Sequence, residues 1–362
     1  VFDAVENVRV VSQVPLSEAR VPAANAWGSD YAQLRRQVKE AGLLNRRPGY
    51  YTVKIAANLT LLGCGWLAFA MLGASWWQLF VAVFLAVMFT QVAFVGHDAG
   101  HNQISRSSRG SELLGRVHGN LLVGFSYIWW VDKHNRHHAH PNQEGLDPDI
   151  GGRAIAFTPG QASDRRGLGV ALARAQAYIF FPMLLLEGLN LHVASARALL
   201  DPGSGPVRAR AIEGALLLVH AAGYLTALFL VLSPVQAVCF LAVQQGVFGL
   251  YMGCSFAPNH KGMPITGPDD KIDFLRRQVL TSRNVRGGRF TDFVLGGLNY
   301  QIEHHLFPSM PRPSLRRAQA LVRAFCAQQG VSYYETSLVT SYAETLRHLH
   351  AVGTLLRTSE SV

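Results

Sequence analysis

The sequence predicts an all-α integral membrane protein: four transmembrane helices in two hairpins, carrying a helical cap on the cytosolic side. Three observations predict it. Hydrophobic residues make up 49% of the 362-residue chain and charged residues only 15%, too lopsided for an ordinary water-soluble domain. Two long stretches are nearly free of charge and each is broken once by turn residues. The excess of 33 Lys and Arg over 23 Asp and Glu falls almost wholly outside those stretches. Collagen, a coiled coil and disorder are excluded, because the chain lacks a glycine period and a long heptad run and has too little net polarity.

Taken in order, residues 1–50 form an N-terminal cytosolic arm with an amphipathic stretch near 31–44. The chain opens on Val-Phe-Asp without a basic-then-apolar leader, so no cleaved secretory signal is expected. A membrane domain then covers 51–325. Between Val53 and Phe94 the one charged side chain is Lys54, and a span needs about 20 apolar residues, so two spans are expected at 53–72 and 76–95. Gly73-Ala74-Ser75 supplies their turn, with Trp76 and Trp77 at the interface. A second hairpin, 211–232 and 235–252, breaks at Ser233-Pro234 and carries Glu213 and His220 in its first half. Residues 175–198 are apolar but contain Pro182, Glu187, Asn190 and His192. An ionised carboxylate at mid-membrane costs about 3 kcal/mol or more, which favours an interfacial or re-entrant helix there.

Charge placement gives the orientation. Both tight turns lack Lys and Arg, whereas seven precede Lys54, nine fall in 96–174, three in 197–210 and thirteen in 254–362. All four regions then face the cytosol, 175–198 does not cross, and 326–362 is a cytosolic tail. Cysteines 64, 239, 254 and 326 show no CxxC spacing, so neither a disulfide framework nor a zinc ribbon is expected. The net charge of +10 is compatible with anionic lipid or an acidic protein; the chain has no lysine-rich tract or nucleic-acid motif, and no nucleic-acid partner is expected.

Seven of the fourteen histidines fall into three groups: His97 and His101; His134, His137 and His138; His304 and His305. At i, i+3 and i+4 on a helix such side chains share one face. An isolated pair is ordinarily a surface or hydrogen-bonded feature, but three groups on one side of a membrane need something to share their lone pairs. Imidazole is a common ligand of first-row metals, and seven or eight nitrogens suit two metals better than one. The hydrolytic zinc motif HExxH would need Glu where Asp98 stands, and the Glu-x-x-His of carboxylate-bridged di-iron bundles is absent.

HDAGH at 97–101, HNRHH at 134–138 followed by Ala139-His140-Pro141, and QIEHHLFP at 301–308 resemble the three histidine boxes of the membrane fatty acid desaturases, over roughly residues 50–325. Gln301 at the head of the third box resembles the subgroup with front-end acyl-lipid and acyl-CoA desaturases. The resemblance implies two iron ions, molecular oxygen as co-substrate, and a cis double bond placed in a fatty acyl chain. It implies His97, His101, His134, His137, His138, His304 and His305 as iron ligands, with His260 as the eighth and Asn259 as its substitute. Gln301 is a candidate ligand or outer partner; Asp98, Glu303, Asp147 and Asp149 are candidates to orient imidazole N–H groups. His118, His140, His192 and His220 are expected to be structural, and His348 and His350 solvent-exposed.

Phe94, Phe180 and Phe181 are candidate linings of an acyl tunnel. The acyl group would ride on CoA, a carrier protein or a glycerolipid. Two electrons per turnover must come from a separate ferredoxin or cytochrome, because the residues show no nicotinamide-binding, iron–sulfur or His-Pro-Gly-Gly haem motif. Arginine's dominance over lysine points to a bacterial inner membrane. The competing readings are a di-iron membrane lipid hydroxylase, using the same site, and a zinc-dependent membrane hydrolase built on HDxxH.

Overall fold

The structure is a computed structural model that describes residues 29–152 and 154–358; the first 28 residues of the expected N-terminal arm lie outside the described residues. The amphipathic stretch is α1, Asp30–Glu40, capped by Ser29, whose hydroxyl accepts the Ala32 N–H. Leu34 and Val38, one turn apart, are fully buried against the cap, so this end of the arm is docked.

The first hairpin is α2, Pro48–Leu72, and α3, Gln78–Gly100. Pro48 starts α2 where its missing N–H costs nothing, and Gly73, at φ 55°, ends it. Trp76 and Trp77 sit exposed at the turn, as the sequence predicts. Next come α4, Ser108–Arg116, which runs into a π-helical turn at Val117–Val123, and α5, Tyr127–Ala139. After α6, Pro159–Ser163, the awkward apolar segment is two helices, α7, Leu168–Leu184, and α8, Glu187–Leu200, bent by 83° at the break. It is therefore not a straight span, and the bend accommodates the interfacial or re-entrant reading. Gly249 makes the bend possible: a Cβ there would lie 2.5 Å from the Gly188 nitrogen and 2.6 Å from the Leu184 carbonyl oxygen.

The second hairpin is α9, Val207–Val231, and α10, Pro234–His260, begun by a capping box in which Ser233 and Gln236 satisfy each other's backbone N–H groups. Among the described residues, α2, α3, α9 and α10 are long and apolar enough to cross a membrane. Glu213, the one acid in α9, is fully buried: its carboxylate accepts the Ser126 hydroxyl at 2.7 Å and the Ile128 N–H at 3.2 Å. It caps the start of α5, where the helix dipole favours an anion.

The cap is completed by α11, Phe274–Leu280; α12, Arg289–Val294; α13, Gln301–Leu306; α14, Arg312–Gln328; and α15, Leu338–Thr358, with short parallel strands β1, Asn284–Val285, and β2, Glu335–Thr336. One apolar core fills the space between the spans around Leu85, Phe89, Phe240 and Phe248. Another holds the cap together around Leu34, Ile302, Leu306 and Phe325.

Two expectations need correction. The spans are longer than the apolar runs, starting at Pro48 rather than 53 and ending at Gly100 and His260 rather than 95 and 252. Hydropathy marks only the lipid-facing length, while the backbone ladder continues through polar residues that face protein. The C-terminal segment is also not a loose tail. In α15, Leu349 and Val352 are buried against α7, and Gly353 sits so close to the Ala173 carbonyl that a Cβ would be 2.5 Å away. His348 and His350 are accordingly half-buried rather than solvent-exposed: His348 Nε2 donates to the Phe157 carbonyl at 2.9 Å, and His350 packs edge-on to Tyr178.

Candidate metal centre

The overrun of α3 and α10 builds the site. The last turns of α3 and α10 present His97 and His260, His101 caps α3, α5 carries His134, His137 and His138, and α13 carries His304 and His305. The structure brings all eight together. The ligating atoms of His97, His101, His134 and His304 lie within 4.8 Å of one another, as do those of His137, His260 and His305. His138 sits between the groups, its ring stacked on His305 at 4.1 Å and edge-on to His101 and His134, each at 4.6 Å.

The nitrogens face one another in a way that only a shared proton or cation makes favourable. His260 Nε2 is 3.0 Å from His305 Nε2 and 3.3 Å from His137 Nε2, and His134 and His138 meet at 3.1 Å through Nε2. Nitrogens bound to one metal at about 2.1 Å stand roughly 3 Å apart. Nε2 of His97, His101 and His304 is buried without any protein partner, and such an atom is costly unless something occupies its lone pair. The residues present therefore fit a pair of imidazole-bound cations.

The outward ring nitrogens are held separately. His137 Nδ1 donates to Asp147, 3.0 Å from each oxygen; His260 Nδ1 donates to the Thr281 carbonyl at 3.1 Å; His305 Nδ1 donates to Gln278 Oε1 at 2.9 Å. Each bond leaves Nε2 unprotonated and aimed inward. Asp98 lies 3.3 Å from His97 Nδ1 and is itself gripped by Arg312 at 2.6 Å and the Tyr51 hydroxyl at 3.1 Å. Asp149 is 3.6 Å from His137 and pairs with Lys133. Gln301 places its amide nitrogen 2.9 Å from His260 Nε2, while its oxygen accepts from Asn259, which also donates to Ser255.

Glu303 does not do what the sequence predicts. It stands two residues from Gln301, on the far side of α13, and its oxygens go to Asn284 and Tyr333, each at 2.7 Å, with no histidine in reach. Burial pushes its carboxyl up to about 7 against those donors. The structural assignments of His118, His192 and His220 hold: their Nδ1 atoms bond the carbonyls of Leu114, Gly124 and Leu121 at 2.8–2.9 Å. His140 bonds Gln143 at 2.9 Å. Sequence reading missed Gln278, Thr281, Tyr51 and Arg312. None of the four is signalled by its local sequence.

Burial first, and then the neighbouring imidazoles, hold His134, His138, His304 and His305 well below the usual histidine range. The unfolded chain would bind protons on them near pH 6.5 while the folded, metal-free chain would not. Their contribution to stability is therefore constant above about pH 7 and falls as the pH drops through 6.5, by about 1.4 kcal/mol per pH unit for each ring that stays neutral, and outweighs the smaller opposite contribution of Glu303. Thermal midpoints of the metal-stripped protein in detergent at pH 8, 7, 6 and 5 check this; a midpoint that rises on acidification contradicts it.

A sequence model of the fatty acid desaturase family matches residues 74–337. The chain is 28% identical to an acyl-lipid (9-3)-desaturase of Physcomitrium patens over 90% of its own length and 62% of that protein's. It is 30% identical to a Delta(8)-fatty-acid desaturase of Euglena gracilis over 86% of this chain and 75% of the relative, and 29% identical to a Delta(6)-fatty-acid desaturase of Caenorhabditis elegans over 88% and 74%. These relatives are eukaryotic and lend no support to a bacterial origin. With the family match covering most of the spans and every histidine group, the chain belongs to the fatty acid desaturase family.

Proposed function

We propose that the chain is an oxygen-dependent acyl desaturase in which a fatty acyl chain lies beside a histidine-held pair of iron ions and loses one hydrogen from each of two adjacent carbons, giving a cis double bond. The observation that carries this reading is the continuity of an apolar cavity with the histidines. The cavity, of about 250 Å³, is walled by Phe94, Trp130, Phe180, Met252 and Phe256 and opens onto His97, His134, His137 and His260. Phe181 takes no part in the wall and is partly exposed.

The irons with oxygen would supply the oxidising power that an unactivated C–H bond demands. The chain's own residues do the rest. The eight histidines hold the cations; Asp147, Gln278 and the Thr281 carbonyl fix three of the rings; and the aromatic walls position two neighbouring carbons and exclude water. Two electrons would come from a separate donor protein, with the cap read as cytosolic from its positive charge. By likeness to the acyl-lipid, Delta(8) and Delta(6) relatives, the bond would fall in the carboxyl-proximal part of the chain. A hydrolytic zinc site gains no support, because Asp98 is tied to Arg312, Tyr51 and His97 and is not free to activate water.

Expression with a donor system, followed by fatty-acid profiling with double-bond location, tests the reading. A new alkene that requires oxygen supports it; a new alcohol moves the activity to hydroxylation. Met252, buried on α10, borders both the cavity and the apolar core between the spans, and on this reading it limits how far an acyl chain enters. Met252→Trp is expected to shift the product profile towards shorter acyl chains, with metal content unchanged; an unaltered chain-length profile contradicts the assignment of the cavity.

A further inference from the structure

Between β1 and the third histidine box the chain makes an excursion that the metal site does not require. Arg286, Gly287, Gly288, Arg289 and Phe290 are all exposed. Phe290 and Phe293 of α12 are 79% and 49% exposed. In water, two bare phenylalanines on one short helix form an apolar patch with nothing to cover it.

The position of α12 says what covers it. Its last carbonyls are held by spanning helices: Gln91 of α3 donates to the Phe293 carbonyl at 3.1 Å, and the Tyr251 hydroxyl of α10 donates to the Val294 carbonyl at 2.8 Å. Lys54 of α2 donates to Gln91 at 2.7 Å and places its ammonium 4.8 Å from the Phe293 ring. Gln91 and Tyr251 each lie nine residues before the last residue of their helices, Gly100 and His260. At 1.5 Å per residue the two contacts lie about 9 Å before His97 and about 13 Å before His260 along their helices, on the membrane side of the histidine cluster. The excursion thus leaves the cap and comes to rest on the outer flank of the spans.

Its charge fits the same place. Asp292, the acid on α12, is already matched by Arg316 at 2.5 Å and accepts from Asn299 at 3.0 Å. Arg286 and Arg289 then give the exposed edge a net positive character, suited to phosphate oxygens at a headgroup plane.

We propose that α12 is an interfacial anchor, inserting Phe290 and Phe293 among the acyl chains of the cap-side leaflet while Arg286 and Arg289 engage the phosphates of anionic lipids. The anchor joins the site through the residues that follow it. A Cβ on Gly296, at φ 62°, would meet the Phe94 ring at 2.6 Å, and one on Gly297, at φ 82°, would meet Arg312 at 2.6 Å. It therefore seats the cap against the cavity wall. The proposal depends on the spans lying in a bilayer and not on the chemistry at the metals.

The test uses the full chain in nanodiscs of phosphatidylcholine and phosphatidylglycerol. An NBD fluorophore is placed at position 290 by Phe290→Cys in a Cys64→Ser background, with the Cys64→Ser protein as blank. Blue-shifted emission quenched by bromine on the lipid acyl chains is expected, more strongly by brominated phosphatidylglycerol than by brominated phosphatidylcholine. Arg286→Ser with Arg289→Ser is expected to abolish that preference and leave the quenching. Water-like, unquenched emission overturns the anchor, and so does blue-shifted but unquenched emission, which would mean that another part of this chain, such as residues 1–28, covers the patch. Equal quenching by both lipids in the parent protein overturns the role of the arginines. An active labelled enzyme with unquenched emission overturns the anchor alone, whereas quenching without desaturation leaves the anchor standing.

Discussion

Replacing His137 with alanine is expected to abolish product formation and empty at least one metal position while the protein still inserts and folds. His137 reaches three parts of the site at once: Asp147 through Nδ1, His260 through Nε2 at 3.3 Å, and the cavity wall. Its loss removes a nitrogen from the smaller group, which has only His260 and His305 besides. Asp147→Asn makes a graded companion. That change keeps the ring and weakens its orientation, and outer partners of metal-bound histidines typically contribute about 10–100-fold in affinity or activity. Metal content by mass spectrometry and product by fatty-acid profiling check both variants; full activity in the alanine variant contradicts the site.

Arg312→Met is expected to destabilise the fold by about 3–5 kcal/mol, the usual cost of leaving a buried charge without its partner. The pair with Asp98 is 2.6 Å long, with both side chains almost wholly buried, and Arg312 also donates to the Phe94 carbonyl at 2.8 Å. The stranded Asp98 carboxylate would sit beside His97 and disturb the first histidine group. Adding Asp98→Asn removes the stranded charge and should recover much of the thermal midpoint without restoring metal content. A single variant as stable as the parent contradicts the account of this ion pair.

How much of this was legible differs by residue. The hairpins and the gathering of histidines could be read because they depend on local properties: hydropathy over a window, and helical spacing within each box. The kink at 185–186 was visible as a conflict, since Glu187 and Pro182 suit neither a straight span nor a soluble helix. Glu303 was misjudged although the helical period already placed it away from Gln301, His304 and His305. Arg312, Gln278 and Tyr51 were beyond local reading, because their roles arise from contacts across 27 to 214 positions of sequence. Their partners become neighbours only once the cap has folded over α3. The packed C-terminal helix escaped for a related reason: its buried side, with Leu349 and Val352, is defined by α7, which comes far earlier in the chain.

Both α3 and α10 continue into the centre without an intervening loop, so His97 and His260 ride on the same rigid rods that cross the bilayer. A change in hydrocarbon thickness that re-tilts either rod displaces an imidazole at its tip by leverage. Lipid order and temperature would then bear on the geometry of the histidine cluster, and an enzyme that alters acyl composition would be subject, mechanically, to the film it helps to make.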